Sequence, residues 1–363
     1  MIPVEQTTAE PIGDALSDVG ANEAPPVARN IGVIGYGYWG PKLVRNFHEL
    51  STARLRMVAD LDVARLRQVR QAYPDVAVTA DYRELLESDV DGVVVATPVS
   101  THYTVARDAL RHGKHVLVEK PLATNRKEGQ ALVDLAAERG LVLMVGHTFE
   151  YNPAVEKLKE IVASGEIGRV YYAYSLRTNL GIFQKDINVV WDLAPHDISI
   201  LLYVLGVEPL SVSASGEAYV QPGVHDVARL TLDFPHQIQA HVHVSWLDPC
   251  KVRRLTIVGD KKMVVYDDVE MLEKIKIYDK GVDPPDRTDN YGEFHLSYRY
   301  GDIKIPRVAL HEPLKVECAH FLDSIIQGRA PRSDGQVGLK VVKILESADR
   351  SLHNGGTREP IEW

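Results

Sequence analysis

From Asn30 onward, short wholly apolar runs alternate with stretches of helical spacing. Ile31, Val33 and Ile34 read as a buried strand that ends at Gly35. A helix follows, with Pro41 near its first turn and Leu43, Val44 and Phe47 on one face. Strands are expected at residues 55–60, 76–78, 92–97, 116–118 and 141–145, and helices at 64–73, 81–87, 102–112 and 127–139. Pro74, Gly113 and Gly140 stop three of these helices. Apolar strands alternating with helices imply a parallel sheet covered on both faces, which right-handed crossovers turn into a doubly wound domain.

After a helix at 153–163 the pattern changes to consecutive strands at 170–176, 210–215, 227–234, 238–246, 252–258, 262–266 and 274–278. Period two is clear where Ile238, Ala240, Val242 and Val244 face one way and Gln239, His241, His243 and Ser245 the other. This predicts an antiparallel sheet with one face on helices and one more polar, the helices being 192–205, 313–327 and 337–352. Residues 281–290 (GVDPPDRTDN) read as a mobile loop. The predicted division is an acidic tail over 1–29, a nucleotide-binding domain over 30–150, and a substrate and oligomerisation domain over 151–363 whose last helices pack back on the first. The tail holds Glu5, Glu10, Asp14, Asp18 and Glu23 with one basic residue, Arg29, and four prolines. It is expected to be disordered, the alternative being an arm on a partner subunit.

Composition narrows the function. With 41 Lys and Arg against 50 Asp and Glu, the net charge is −9, which argues against nucleic acid or an anionic membrane bound through a broad basic surface. The two cysteines, Cys250 and Cys318, exclude a disulfide scaffold and a cysteine metal cluster, and fit a reducing, cytoplasmic setting. No stretch approaches the length of a membrane-spanning helix, and the start lacks the basic and apolar segments of a signal peptide.

Gly35-Tyr36-Gly37-Tyr38-Trp39-Gly40 matches G-x-G-x-x-G between a strand and a helix, the context the motif needs. The first glycine permits the tight turn, the second lets backbone approach a pyrophosphate, and the third packs helix on strand. Asp60, 20 residues past Gly40 at the end of the second strand, can accept hydrogen bonds from the adenosine ribose and repel a 2′-phosphate. NAD is therefore favoured, while Arg65 nearby leaves NADP open.

Two further strand ends face the same edge. One runs into Thr97, Pro98 and His102, the other into Glu119, Lys120 and Pro121. A lysine there can hydrogen-bond a substrate hydroxyl and stabilise the alkoxide that develops as hydride leaves. In Trp191-Asp192-Leu193-Ala194-Pro195-His196-Asp197, Asp192 and His196 stand at i and i+4, so the carboxylate is expected to orient an imidazole acting as general base. His241 and His243 share a strand face, but no third ligand matches them, and a subunit interface suits them better than a metal. Lys251-Val252-Arg253-Arg254 is a basic cluster at a strand start, read as a solvated strand end or a holder of an acidic substrate group.

GYGYWG, ATPVSTH at 96–102, EKP at 119–121, GHTFEYNP at 146–153 and D-x-x-x-H at 192–196 together resemble the Gfo/Idh/MocA family of sugar and cyclitol oxidoreductases, over about residues 30–355. The resemblance implies a Rossmann domain followed by an α/β domain with a large open sheet. It implies a catalytic pair of Lys120 and His196 supported by Asp192, and a cis Lys120–Pro121 peptide. Gly35, Gly37, Tyr38, Trp39, Gly40 and Asp60 would hold the adenosine and pyrophosphate. Thr97, Pro98, His102, Glu119 and Lys120 would line the nicotinamide half. His147, Tyr151 and Asn152 would stand near substrate. Within the family, residues 177–197 look like enzymes acting at C3 of nucleotide-activated sugars, such as UDP-N-acetylglucosamine and the related glucuronate. Arg177, Asn179, Lys185, Asn188 and Trp191 become candidate sugar or diphosphate contacts. The expected protein is an NAD-dependent dehydrogenase of a small-molecule sugar or nucleotide sugar, with no metal, assembled as a dimer or tetramer through its second sheet. The alternatives are an inositol or free-sugar dehydrogenase and a non-enzymatic NAD-binding regulator.

Overall fold

A computed structural model describes residues 28–184, 187–283 and 297–363. The expected tail up to residue 27, Lys185, and residues 284–290 of the expected loop lie outside the described residues.

The first unit runs β1 (Arg29–Ile34), α1 (Gly40–Glu49), β2 (Ala53–Ala59), α2 (Val63–Ala72), β3 (Ala77–Thr79), α3 (Tyr82–Glu87), β4 (Gly92–Val95), α4 (Val99–Arg111), β5 (His115–Glu119), α5 (Arg126–Arg139) and β6 (Leu143–Gly146). Arg29 opens β1 instead of ending the tail, with its amide on the Thr52 carbonyl. The sheet order is β3-β2-β1-β4-β5-β6, parallel throughout. Val93, Val94 and Val95 are fully buried, as a central parallel strand requires. Local chemistry sets the helix ends. Asp62, Asp81 and Asn125 each accept a first-turn amide, and Gly140 closes α5 at φ 63°. The order reverses between β1 and β4, so their carboxyl ends open a crevice suited to a ligand.

A 3-10 turn at Thr148–Tyr151 leads to α6 (Pro153–Ala163), β7 (Val170–Thr178), α7 (Val189–Leu205), β8 (Ser211–Glu217), β9 (Val227–Asp233), β10 (Gln239–Ser245), β11 (Val252–Gly259), β12 (Met263–Asp267), β13 (Ile275–Asp283), β14 (Ser297–Lys304), α8 (Pro313–Gln327), α9 (Gly335–His353) and β15 (Glu359–Pro360). These strands form a nine-stranded sheet ordered β14-β13-β12-β11-β7-β10-β9-β8-β15. Every pair is antiparallel except β7 with β10. Ala240, Val242 and Val244 are buried under helices while Gln239 and His241 are exposed, as the alternation predicted. Ser245 departs from it: the strand end is buried, and its Oγ accepts the Leu247 amide. Two further differences lie at the sheet edge. β13 continues to Asp283, three residues into the expected loop, and β14 was not expected at all. Almost every residue of β14 is exposed, so no buried period marks it.

The last helices tie the two sheets together. On α8, Phe321 meets Phe47 of α1 edge-on, with ring centroids 6.4 Å apart. Burial of each ring contributes about 2 kcal/mol or more. α9 packs between α5, α7 and β8. One apolar core therefore runs from Val95, Val118 and Val145 of the parallel sheet to Ile198, Val242 and Leu345.

Candidate active site

The glycine turn is built by close backbone contacts. Gly35 has φ +100°, and a Cβ on it would sit 2.5 Å from the Ala96 carbonyl oxygen. A Cβ on Gly40 would lie 2.4 Å from the Gly35 carbonyl oxygen, whereas one on Gly37 would meet nothing nearer than Arg65 Nη1 at 3.7 Å. The first and third glycines thus hold the chain together, and the second borders open space. Trp39, at the N-cap of α1, makes no side-chain cap bond, and the amides of Gly37, Tyr38, Trp39 and Gly40 find no acceptor among the described residues. Unclaimed amides at a helix N-terminus above a bare glycine fit a pyrophosphate. Tyr38 is exposed, and Lys42 Nζ lies 4.0 Å from its ring and 4.2 Å from that of Trp39, placing a cation beside the turn.

Asp60 stands where the sequence placed it. Its Oδ2 accepts the Tyr36 amide at 2.6 Å and its Oδ1 the Asp62 amide at 2.8 Å, which aims the carboxylate across the turn. Arg65 Nη1 lies 3.5 Å from Oδ2, so a cation does accompany the acid. Thr97 Oγ1 accepts the Thr101 hydroxyl, and exposed Pro98 caps α4. His102, expected along the nicotinamide half, ties two strand ends together. It is 1% exposed, and its two ring nitrogens sit 2.8 and 2.9 Å from the carbonyls of Pro121 and Thr97, joining two strand ends. Glu119 is buried, and burial pushes its carboxyl up to about 7 against the pull of the Lys120 charge.

The cleft forms where β5 ends against α7. The Lys120–Pro121 peptide is cis. Lys120 Nζ donates to the Asp192 carbonyl at 2.7 Å and lies 3.5 Å from Asp192 Oδ1. Asp192 Oδ2 accepts Trp246 Nε1 at 3.0 Å. The expected Asp192–His196 bond is absent, because both carboxylate oxygens are turned to Lys120 and Trp246. The buried Nδ1 of His196 has no partner. Packing orients this ring instead: Phe149 meets it edge-on at 5.0 Å and carries the Arg177 guanidinium at 4.6 Å. Burial, then the charges of Lys120, Arg177 and Arg253, hold His196 well below the ordinary imidazole range, so it is neutral near pH 7. His147 lies beside it, 1% exposed with both nitrogens unpartnered, and burial lowers it to about 3.

Several expected substrate contacts have other work. Arg177 is 3% exposed and pairs with Asp197 at 2.6 and 3.2 Å, where Asp197 also accepts the Ser175 hydroxyl. Tyr151 is 1% exposed and bonds Ser333, away from the cleft. Asn152 caps α6 and reaches the Tyr266 hydroxyl. Asn188 caps α7 and bonds Asp349, a use its place before a helix could have suggested. Trp191 is buried in the apolar core. Asn179, half-buried at the end of β7, remains near the cleft, its amide on Ser245. Trp246 and Phe149 were given no role from the sequence, and only the fold sets them against Asp192 and His196. Among the described residues no cluster of His, Cys, Asp and Glu could hold a metal, and no helix is long and apolar enough to cross a membrane.

Comparison with known proteins identifies the family. Residues 29–147 match the Gfo/Idh/MocA oxidoreductase family, NAD-binding Rossmann fold, and residues 155–265 match the Gfo/Idh/MocA C-terminal domain. The chain is 29% identical over 320 residues to UDP-N-acetylglucosamine 3-dehydrogenase of Acidithiobacillus ferrooxidans, covering 86% of this chain and 93% of that protein. It is 25% identical over 334 residues to myo-inositol 2-dehydrogenase of Thermotoga maritima, covering 89% and 96%. Several other oxidoreductases match over 66% of their own length. A solved structure of the Acidithiobacillus enzyme superposes with a TM-score of 0.75 at 26% identity, covering 91% of this chain and all of that one.

Proposed function

This chain belongs to the Gfo/Idh/MocA family of NAD-binding oxidoreductases, and from that premise we propose that it interconverts the C3 hydroxyl and ketone of a nucleotide sugar. Bound NAD supplies the hydride acceptor, or NADH the donor. The rest falls to side chains. Lys120, braced by Asp192, directs its ammonium at the substrate oxygen and stabilises the developing alkoxide. His196, neutral and unpartnered, takes the hydroxyl proton. Asp192 positions Lys120, and Trp246 fixes Asp192. The observation that carries the reading is this Lys120–Asp192–Trp246 chain across the mouth of the crevice, with an unpartnered imidazole one turn further along α7.

The relative acting on UDP-N-acetylglucosamine, similar along most of the chain, supports the nucleotide sugar. The similarity to myo-inositol 2-dehydrogenase favours inositol as the second reading. A regulator without chemistry would have no use for the lysine and imidazole held here, and the family's named relatives are dehydrogenases. The enzyme acts in the cytoplasm and assembles through the outer face of its large sheet, where Tyr172 and Tyr174 stack in the open at 6.3 Å. The test is NADH formation with UDP-N-acetylglucosamine and with myo-inositol. Faster turnover of the UDP-sugar supports the reading, and turnover of inositol alone replaces it with the second.

A further inference from the structure

The basic run at residues 251–254 splits in the fold. Arg254 points outward, exposed, and is paired with Asp267 at 2.7 Å. Arg253 takes the inner face. In the antiparallel register of β11 on β7 it stands opposite Arg177. Like charges directly opposite on neighbouring strands are unfavourable, so the pair needs compensation.

Arg177 has it from Asp197, both almost fully buried. Arg253 does not have it in full. Among the described residues its guanidinium has one hydrogen bond, from Nη1 to Asp268 Oδ2, long at 3.4 Å. That carboxylate also takes the Tyr266 hydroxyl at 3.0 Å and lies 3.9 Å from Lys274 Nζ. Lys120 is matched by Asp192 and Arg177 by Asp197, but Arg253 and Lys274 share Asp268. Among the described residues four cations thus face three carboxylates on this wall, an excess of one positive charge. The Arg253 side chain is 34% exposed against 4% for Arg177, so it is the guanidinium a ligand can reach. Arg177, its cross-strand neighbour, lies over the Phe149 ring that meets His196, which brings Arg253 toward the reacting centre.

We propose that Arg253 is a specificity-determining residue that binds an anionic group of the substrate, a carboxylate or a diphosphate, through the guanidinium N–H groups Asp268 leaves unused. This deepens the reading above and rests on it, since it takes the same cleft as the sugar site. A planar fork of donors suits either oxyanion, and a neutral polyol would leave the charge uncompensated.

The test uses the full chain loaded with NADH, and calorimetric titration with glucuronate and with UDP. Arg253→Gln is expected to weaken the ligand that carries the recognised group about tenfold to a hundredfold. Loss confined to glucuronate assigns the carboxylate, and loss confined to UDP assigns the diphosphate. Arg254→Gln, on the outer face, should bind as the parent does. Arg253→Lys keeps the charge without the fork and should fall between, which guards against a Gln variant that merely misfolds. Equal affinities of parent and Arg253→Gln for both ligands, or no binding of either by the parent, overturn the proposal. Turnover of UDP-N-acetylglucosamine is measured alongside: its absence with Arg253-dependent anion binding refutes the sugar assignment alone.

Discussion

The glycine turn and the catalytic cleft stand at the ends of the same parallel strands, yet they are made of different material. The turn is backbone. Its donors are the amides of residues 37–40, its geometry follows from contacts between Gly35, Gly40 and Ala96, and its carboxylate comes from the next strand. The cleft is side chain. Lys120 follows β5, Asp192 lies on α7 and Trp246 follows β10, and the Lys120–Asp192 bond spans 72 residues. A site of backbone tolerates no added atom where chain meets chain. A site of side chains depends on whichever distant group holds each one in place.

That difference can be broken in order of expected effect. Lys120→Met should lower kcat about a thousandfold or more while NAD binding, measured by fluorescence titration, stays within a few-fold, because only the cleft is altered. In the turn, Gly35→Ala should destabilise the fold by about 3 kcal/mol, through a clash and a positive φ together. Gly37→Ala should melt like the parent and weaken NAD about tenfold, since its methyl points into the open space. Thermal melts with and without NAD separate the two variants. Trp246→Phe keeps an aromatic side chain and removes the bond to Asp192, so kcat should fall about tenfold with NAD affinity unchanged.

The smallest effect is on pH. Glu150 is 1% exposed, its carbonyl accepts from Arg332, and burial raises its carboxyl to about 8. A raised native value means its contribution is fully present below its unfolded range near 4.5 and is lost as pH rises through about 8. Glu150→Gln should therefore raise the melting temperature at pH 8 by about 2 °C or more and leave it unchanged at pH 4.5. An equal shift at both values would place the effect in packing.

The same contrast explains what the sequence revealed. Strand, turn and helix at residues 31–47 are local, so G-x-G-x-x-G and its context sufficed, as did the apolar period of the parallel strands. The D-x-x-x-H spacing correctly put Asp192 and His196 on one helix face, but spacing cannot say which neighbour competes for a carboxylate, and Lys120 and Trp246 win. Asn188, Tyr151 and Arg177 are polar residues near a functional segment whose partners, Asp349, Ser333 and Asp197, become visible only in the fold. β14 escaped notice because an exposed edge strand carries no buried alternation.

Transfer of hydride from C3 under Lys120 is tested most directly with UDP-N-acetylglucosamine deuterated at C3. Incubation with NAD and mass analysis of the reduced cofactor should show one deuterium in the NADH formed, and Lys120→Met should abolish that signal. Unlabelled NADH from the same substrate would put the reaction at another carbon and contradict the assignment.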